Sequence, residues 1–171
     1  MLLSSGVLPA TAQRYTTEKS FISFFSDAPI EDIKAENVKA VSLFNVANGD
    51  LAFSVSIKDY QFKKALMQEH FNEKYMESEK YPKSTFQGKI NGFNPQAKGI
   101  QHVSAIGKLM IHGVTKDVTI KGTIEKLADK LNMKSSFIVK PEEYNIVVPE
   151  LLRNNIAEQV EVTIDFVFKP Q

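Results

Sequence analysis

The sequence predicts an all-β domain, an antiparallel up-and-down β-barrel with one or two short helices. Three observations carry this. Apolar residues alternate with polar ones over six stretches, and a period of two marks a strand with one dry face. Turn-forming residues separate several of these stretches by short gaps, and nowhere does the spacing suit a strand–helix–strand unit. About nine one-sided strands leave sheet edges and a dry face that both need cover. Closing the sheet into a barrel covers both at once. A two-sheet sandwich is the competing solution, and the hairpin-only order favours the barrel.

Taken in order, residues 1–12 read as the remnant of a signal peptide. Leu2 to Leu8 is a short apolar run, and Ala10-Thr11-Ala12 has the small-x-small form of a signal-peptidase site. One domain is then expected over residues 13–171. Ser20–Phe25 and Val38–Val46 are weaker strand candidates. Asn48-Gly49-Asp50 is a hairpin turn leading into Leu51, Phe53, Val55 and Ile57, which alternate with Ala52, Ser54, Ser56 and Lys58. Phe62, Leu66, Met67, His70 and Phe71 recur at helical spacing, which predicts a helix of two or three turns. A charged loop over Glu69 to Lys80 follows, and Tyr81-Pro82 ends it.

Strands resume with Phe86, Gly88, Ile90 and Gly92, then with Val103, Ala105, Gly107, Leu109 and Ile111. The segment from His112 to Asp117 is short enough to make the next strand an antiparallel neighbour. That strand alternates through Val118, Ile120, Gly122 and Ile124. Ala128-Asp129-Lys130 turns into Leu131, Met133, Ser135, Phe137 and Val139. Tyr144–Val148 is another weak strand candidate, and Pro149–Ala157 is a candidate second helix with proline near its first turn. Val160, Val162, Ile164, Phe166 and Phe168 form the cleanest alternation of all.

Composition narrows the function. At 171 residues the chain buries roughly 70% of its unfolded surface, enough for a sizeable core or a core with a cavity. Net charge is +1 with lysines scattered among carboxylates, so no basic stripe for nucleic acid is visible. No cysteine is present, which removes disulfides, thiolate nucleophiles and cysteine metal sites. No segment after residue 12 approaches the ~18 apolar residues of a membrane span. His70, His102 and His112 lack metal-ligand spacing. No serine sits on a glycine-flanked elbow, and the glutamates at 73, 77, 79, 142 and 143 lie in polar turns. Neither catalytic residues nor a cofactor or metal are expected.

Two motifs add a resemblance. Glu69-His70-Phe71 through Tyr81-Pro82 with Phe86 and Gly88, followed by Gly107-Lys108-Leu109-Met110-Ile111-His112-Gly113-Val114-Thr115-Lys116-Asp117-Val118, resemble the YceI-like family over roughly residues 15–168. Many members carry an Arg-Asp pair where this chain has Met67-Gln68-Glu69-His70. Many have an Arg-Ser-Asp-Phe-Gly-like segment where Pro141-Glu142-Glu143-Tyr144-Asn145 stand, so the resemblance is to a divergent branch. It implies a lipocalin-like antiparallel β-barrel, exported to the periplasm or secreted, that binds an isoprenoid or other amphiphile without catalysis.

The expected function is therefore an exported, non-enzymatic carrier that holds a hydrophobic or amphiphilic small molecule in its barrel. The dry faces nominate the lining: Phe53, Val55, Ile57, Phe86, Ile90, Leu109, Ile111, Phe137, Ile146, Ile164 and Phe166. The helix adds Phe62, Leu66 and Phe71 at one end. Inward glycines at 88, 92, 107 and 122 either leave space for a ligand or bend the sheet. A homodimer is open, as are two other readings: an enzyme or metal protein using the histidines, and a filled barrel that binds another protein.

Overall fold

The computed structural model describes residues 13–148 and 158–171. Ten strand segments form one antiparallel sheet. They are β1 (Arg14–Ser26), β2 (Ile33–Asn37), β3 (Val41–Asn45), β4 (Asp50–Ser56), β5 (Gln61–Phe62), β6 (Lys83–Asn91), β7 (Ile100–Ile111), β8 (Val114–Leu127), β9 (Lys130–Val139) and β10 (Val160–Pro170). β10 pairs back onto β1 from Tyr15↔Pro170 to Phe25↔Glu161, which closes the sheet. β2 and β3 lie end to end along the other edge of β1, and β5 extends the line of β4 beside β2. By position this is a closed eight-strand barrel in up-and-down order, as the alternation implies.

The weak strand candidates fare unevenly. Ser20–Phe25 falls inside β1. Val38–Val46 contains β3, which begins only at Val41, and pairing lapses between it and β2, a strand the alternation did not show. There Asn37, 1% exposed, donates from Nδ2 to the Ser56 carbonyl at 2.9 Å and accepts from the Lys39 amide at 2.9 Å. Its side chain replaces the ladder and ties the kink to β4. Opposite, Glu18 is the bulged residue of β1 against β10. Thr17 Oγ1 accepts from the Ser42 amide at 2.6 Å and donates to the Ser42 carbonyl at 3.1 Å, bridging the same gap.

Tyr144–Val148 is not a strand. Pro141–Tyr144 form a 3₁₀ turn, and Asn145 follows in the left-handed region at φ 55°, which breaks any extended run. The candidate helix at Pro149–Ala157 and the signal remnant at 1–12 lie outside the described residues. The helix after β5 is present as α1 (Ala65–His70), continued by a π turn over Phe71–Tyr75, so the charged loop begins later than the sequence implies. The β7–β8 turn is also tighter than expected. It consists of His112 and Gly113 alone, both at positive φ (51° and 72°), the backbone of a two-residue hairpin turn.

The registers define two ends. At one lie the short connections β3–β4 and β8–β9 and the loop between β6 and β7. At the other lie residues 27–32, the 57–82 segment carrying α1, the His112-Gly113 turn and the residues after Val139. We call these the floor and the mouth. At the floor Phe44, Phe166, Phe168, Ile124 and Leu131 are almost completely buried. Phe44 meets Phe168 at 6.3 Å and Phe93 at 5.8 Å between ring centroids, and Phe166 meets Phe168 at 6.1 Å, spacings at which aromatic edges and faces attract.

Candidate functional site

Above that aromatic floor the barrel encloses a cavity of about 380 Å³. Its wall comes from the inward rows of the strands: Leu51, Phe53 and Val55 of β4, Phe86 and Ile90 of β6, and Leu109 of β7 with Ile111 at its end. Phe137 of β9 and Ile164 of β10 complete the far side, and Ile57 enters from the turn after β4. Ile146 lines it from the irregular segment after the 3₁₀ turn, and Phe62 and Phe71 from β5 and the π turn. The strand residues arrive there because a period of two sends every second side chain to the same face.

Two nominated residues fall elsewhere. Leu66 is 61% exposed and is not part of the wall, because α1 is too short to hold all its apolar positions on one face. Phe166 is fully buried beneath the cavity, with its ring 4.8 Å from that of Phe53. The same inward row that lines the mouth has become solid core at that depth. The inward glycines do not all make room for a guest either. A Cβ on Gly88 would lie 2.3 Å from the Ile106 carbonyl oxygen, so this glycine lets the β6 and β7 backbones approach closely.

The mouth carries a second aromatic cluster that the sequence reading only half identified. Phe24 of β1 stacks on Phe71 at 5.3 Å and meets Tyr60 at 5.4 Å, while Phe62 meets Phe71 at 5.0 Å. Burial pushes the Tyr60 hydroxyl's pKa well up, so it stays a neutral OH at the cavity's edge. Ser26, Glu31 and His70 add polar character to this end. The sequence signal for Phe24 lay in the weak strand candidate, and Tyr60 had none.

One wall of the barrel is incomplete. β8 begins at Val114 and β9 runs to Val139, yet their pairing starts only at Gly122↔Ser135. Ser135 Oγ donates to the Lys121 carbonyl at 2.7 Å, a side-chain bond at the point where the ladder ends. Lys121 and Lys134, on the outward rows, border the cavity here with Ser135. The cavity thus reaches the surface through a seam between β8 and β9. A serine on the dry row of β9 was the available hint.

The segment after β9 leans across the top of that seam. His112, 9% exposed, has Nδ1 3.0 Å from the Tyr144 carbonyl and Nε2 2.7 Å from Glu77 Oε2. Its ring also meets the edge of Tyr81 at 4.5 Å. The ring donates to both acceptors only as the imidazolium; the neutral ring with its proton on Nδ1 donates to Tyr144 alone. This histidine therefore braces three mouth segments together. His102 is exposed on β7, and His70 ends α1. Among the described residues no three His, Asp or Glu side chains converge as a metal site.

A closed antiparallel barrel with the Gly107–Val118 motif on its β7–β8 hairpin is the fold the resemblance implied. The YceI-like domain model matches residues 15–168. The chain belongs to the YceI-like family. No curated protein matches it by sequence.

Solved structures agree on the fold. A polyisoprenoid binding domain from Saccharophagus degradans, implicated in plant cell wall breakdown, superposes with a TM-score of 0.79 at 16% identity, covering 92% of this chain and 98% of that one. BcnA of Burkholderia cenocepacia gives 0.74 at 17% identity, covering 86% and 95%. The YceI protein of Campylobacter jejuni gives 0.63 at 19%, covering 81% and 85%.

Proposed function

We propose that this YceI-like protein is a non-enzymatic carrier for a hydrophobic or amphiphilic small molecule, held with its apolar chain inside the barrel. The cavity carries the reading: about 380 Å³ walled almost wholly by aliphatic and aromatic side chains, within the ~300–1,000 Å³ range of small-molecule sites. The nominated lining residues, Leu66 and Phe166 apart, are the binding residues in this reading. The polyisoprenoid-binding description of the S. degradans relative points to the same class of ligand.

The energetics suffice without strong polar contacts. A buried methylene contributes about 0.8 kcal/mol, so a dozen supply on the order of 10 kcal/mol gross. Association and ordering costs take a large share of that, which leaves affinities between about micromolar and nanomolar. Export belongs to the proposal and is supported by the apolar run Leu2–Leu8 with Ala10-Thr11-Ala12.

The test is to extract the purified protein with organic solvent and analyse the extract by mass spectrometry. A single-chain lipid present in stoichiometric amount is the expected result. A protein that repeatedly yields none, and that binds no added lipid, is not a carrier.

A further inference from the structure

We infer that the barrel measures its ligand: the aromatic floor sets a maximum tail length of about fifteen carbons, and the ligand is a single-chain amphiphile of that size with its head at the mouth. The inference rests on the carrier reading and adds a substrate class to it.

The limit comes from what lies under the cavity. On β10 the inward row runs Val160, Val162, Ile164, Phe166, Phe168 from mouth to floor, and the first three line the cavity while the two phenylalanines do not. Those two rings are fully buried. Phe166 touches Phe53 above and Phe168 below, and Phe168 meets Phe44, which meets Phe93 from the loop that closes the barrel's end. On the β10 side a tail descending past Phe53 meets that stack of rings, and on the other side the space ends against Leu51 and Ile90. Phe166 and Phe168 belong to β10, which is paired along most of its length with β1 and β9, so they do not step aside without breaking the core.

The volume converts to a chain length. A cavity of about 150 Å³ takes one benzene, six carbons. At that packing 380 Å³ takes about fifteen. Longer chains must leave their remainder outside the barrel, where further methylenes gain nothing from it. Orientation follows from polarity. The floor beneath the cavity is a stack of phenylalanine rings, whereas Ser26, Glu31 and His70 stand at the mouth and Ser135 with two lysines at the seam, so a polar head set against those rings would be buried without a partner.

The experiment is displacement of the fluorescent probe anilinonaphthalene sulfonate from the purified protein by straight-chain carboxylates of about eight to about twenty-two carbons. Affinity is expected to rise about fourfold per methylene, the ~0.8 kcal/mol of a buried methylene converted at ~1.4 kcal/mol per decade, and to level off near fifteen carbons. Phe53→Ala removes a ring from the wall directly above Phe166 and should move the plateau out by about four carbons. If affinity climbs unbroken through the longest chain, or if the plateau stays put in a folded Phe53→Ala protein, the ruler is overturned while the carrier reading stands. If no chain of any length displaces the probe, the carrier reading falls and the ruler with it. Should Phe53→Ala fail to fold, Phe53→Leu, which removes less volume, is expected to shift the plateau by about two carbons, and an unmoved plateau there overturns the ruler equally.

Discussion

The molecule has two aromatic clusters, and they are built from different kinds of structure. The floor cluster of Phe44, Phe166 and Phe168 sits on β3 and β10 and is almost without exposure. The mouth cluster of Phe24, Tyr60, Phe62 and Phe71 depends on a two-residue strand, a six-residue helix that buries none of its residues, and a π turn. Phe166 and Phe168 come from β10, whose ladders to β1 and β9 run along most of the strand, and Phe44 from β3, which is paired on both flanks by shorter ladders. Mouth rings, Phe24 excepted, hang on one excursion between β4 and β6. Similar ring contacts therefore sit in different settings: below, in packed core; above, on an excursion whose helix and π turn bury none of their residues. Elements with few buried contacts are those that open locally below the global unfolding energy, and π turns recur at functional positions.

The largest expected effect tests the floor. Phe166→Ala empties a fully buried site in a packed row and should cost about 3–5 kcal/mol, read as a drop in the urea midpoint. Phe71→Ala removes a half-buried ring whose neighbours are partly wet. It should cost no more than ~1–2 kcal/mol, yet speed release of a bound fluorescent fatty acid about tenfold in stopped flow. The comparison breaks if the two substitutions destabilise equally, because the mouth would then be core rather than cover.

How far this difference was legible in the sequence can be judged strand by strand. The period of two placed β4, β6, β7, β8, β9 and β10 and their inward rows, because one-sided burial is written into alternating residues. Depth along a row is not written there. Phe53 and Phe166 are both phenylalanines on inward rows, and only the pairing registers show that one faces space and the other a ring. The kink between β2 and β3 escaped because a buried Asn37 doing the backbone's work reads like any turn asparagine. The seam between β8 and β9 escaped because alternation reports which way side chains point, not whether two edges meet. Leu66 was misplaced for a simpler reason: six helical residues do not define a face.

A smaller effect sharpens the account of the mouth. His112→Ala strips the Tyr144 carbonyl and Glu77 of their shared hydrogen-bond partner and lets the 141–148 segment part from the β7–β8 turn. About 1–3 kcal/mol of stability is expected to go, with faster hydrogen exchange confined to mouth amides. Glu77→Gln should do less, because the amide can still donate to Nε2 of the neutral ring. If both variants lose floor protection as well, the brace is part of the global fold, and the two ends are not separable in the way described.

The smallest expected effect is the most discriminating for the cover itself. Leu66 stands 61% exposed on α1, pointing away from a cavity that its neighbours Met67 and His70 help to line. In the observed position Leu66→Ser removes no buried contact, so stability should stay within about 0.5 kcal/mol. Ligand affinity should likewise be unchanged in the same probe-displacement assay. A loss of affinity without a loss of stability would show that α1 rolls when a tail enters, carrying Leu66 onto the ligand. That outcome would make the mouth cluster a closing lid rather than a standing one, because only a contact absent from the unliganded barrel can be lost on binding and nowhere else.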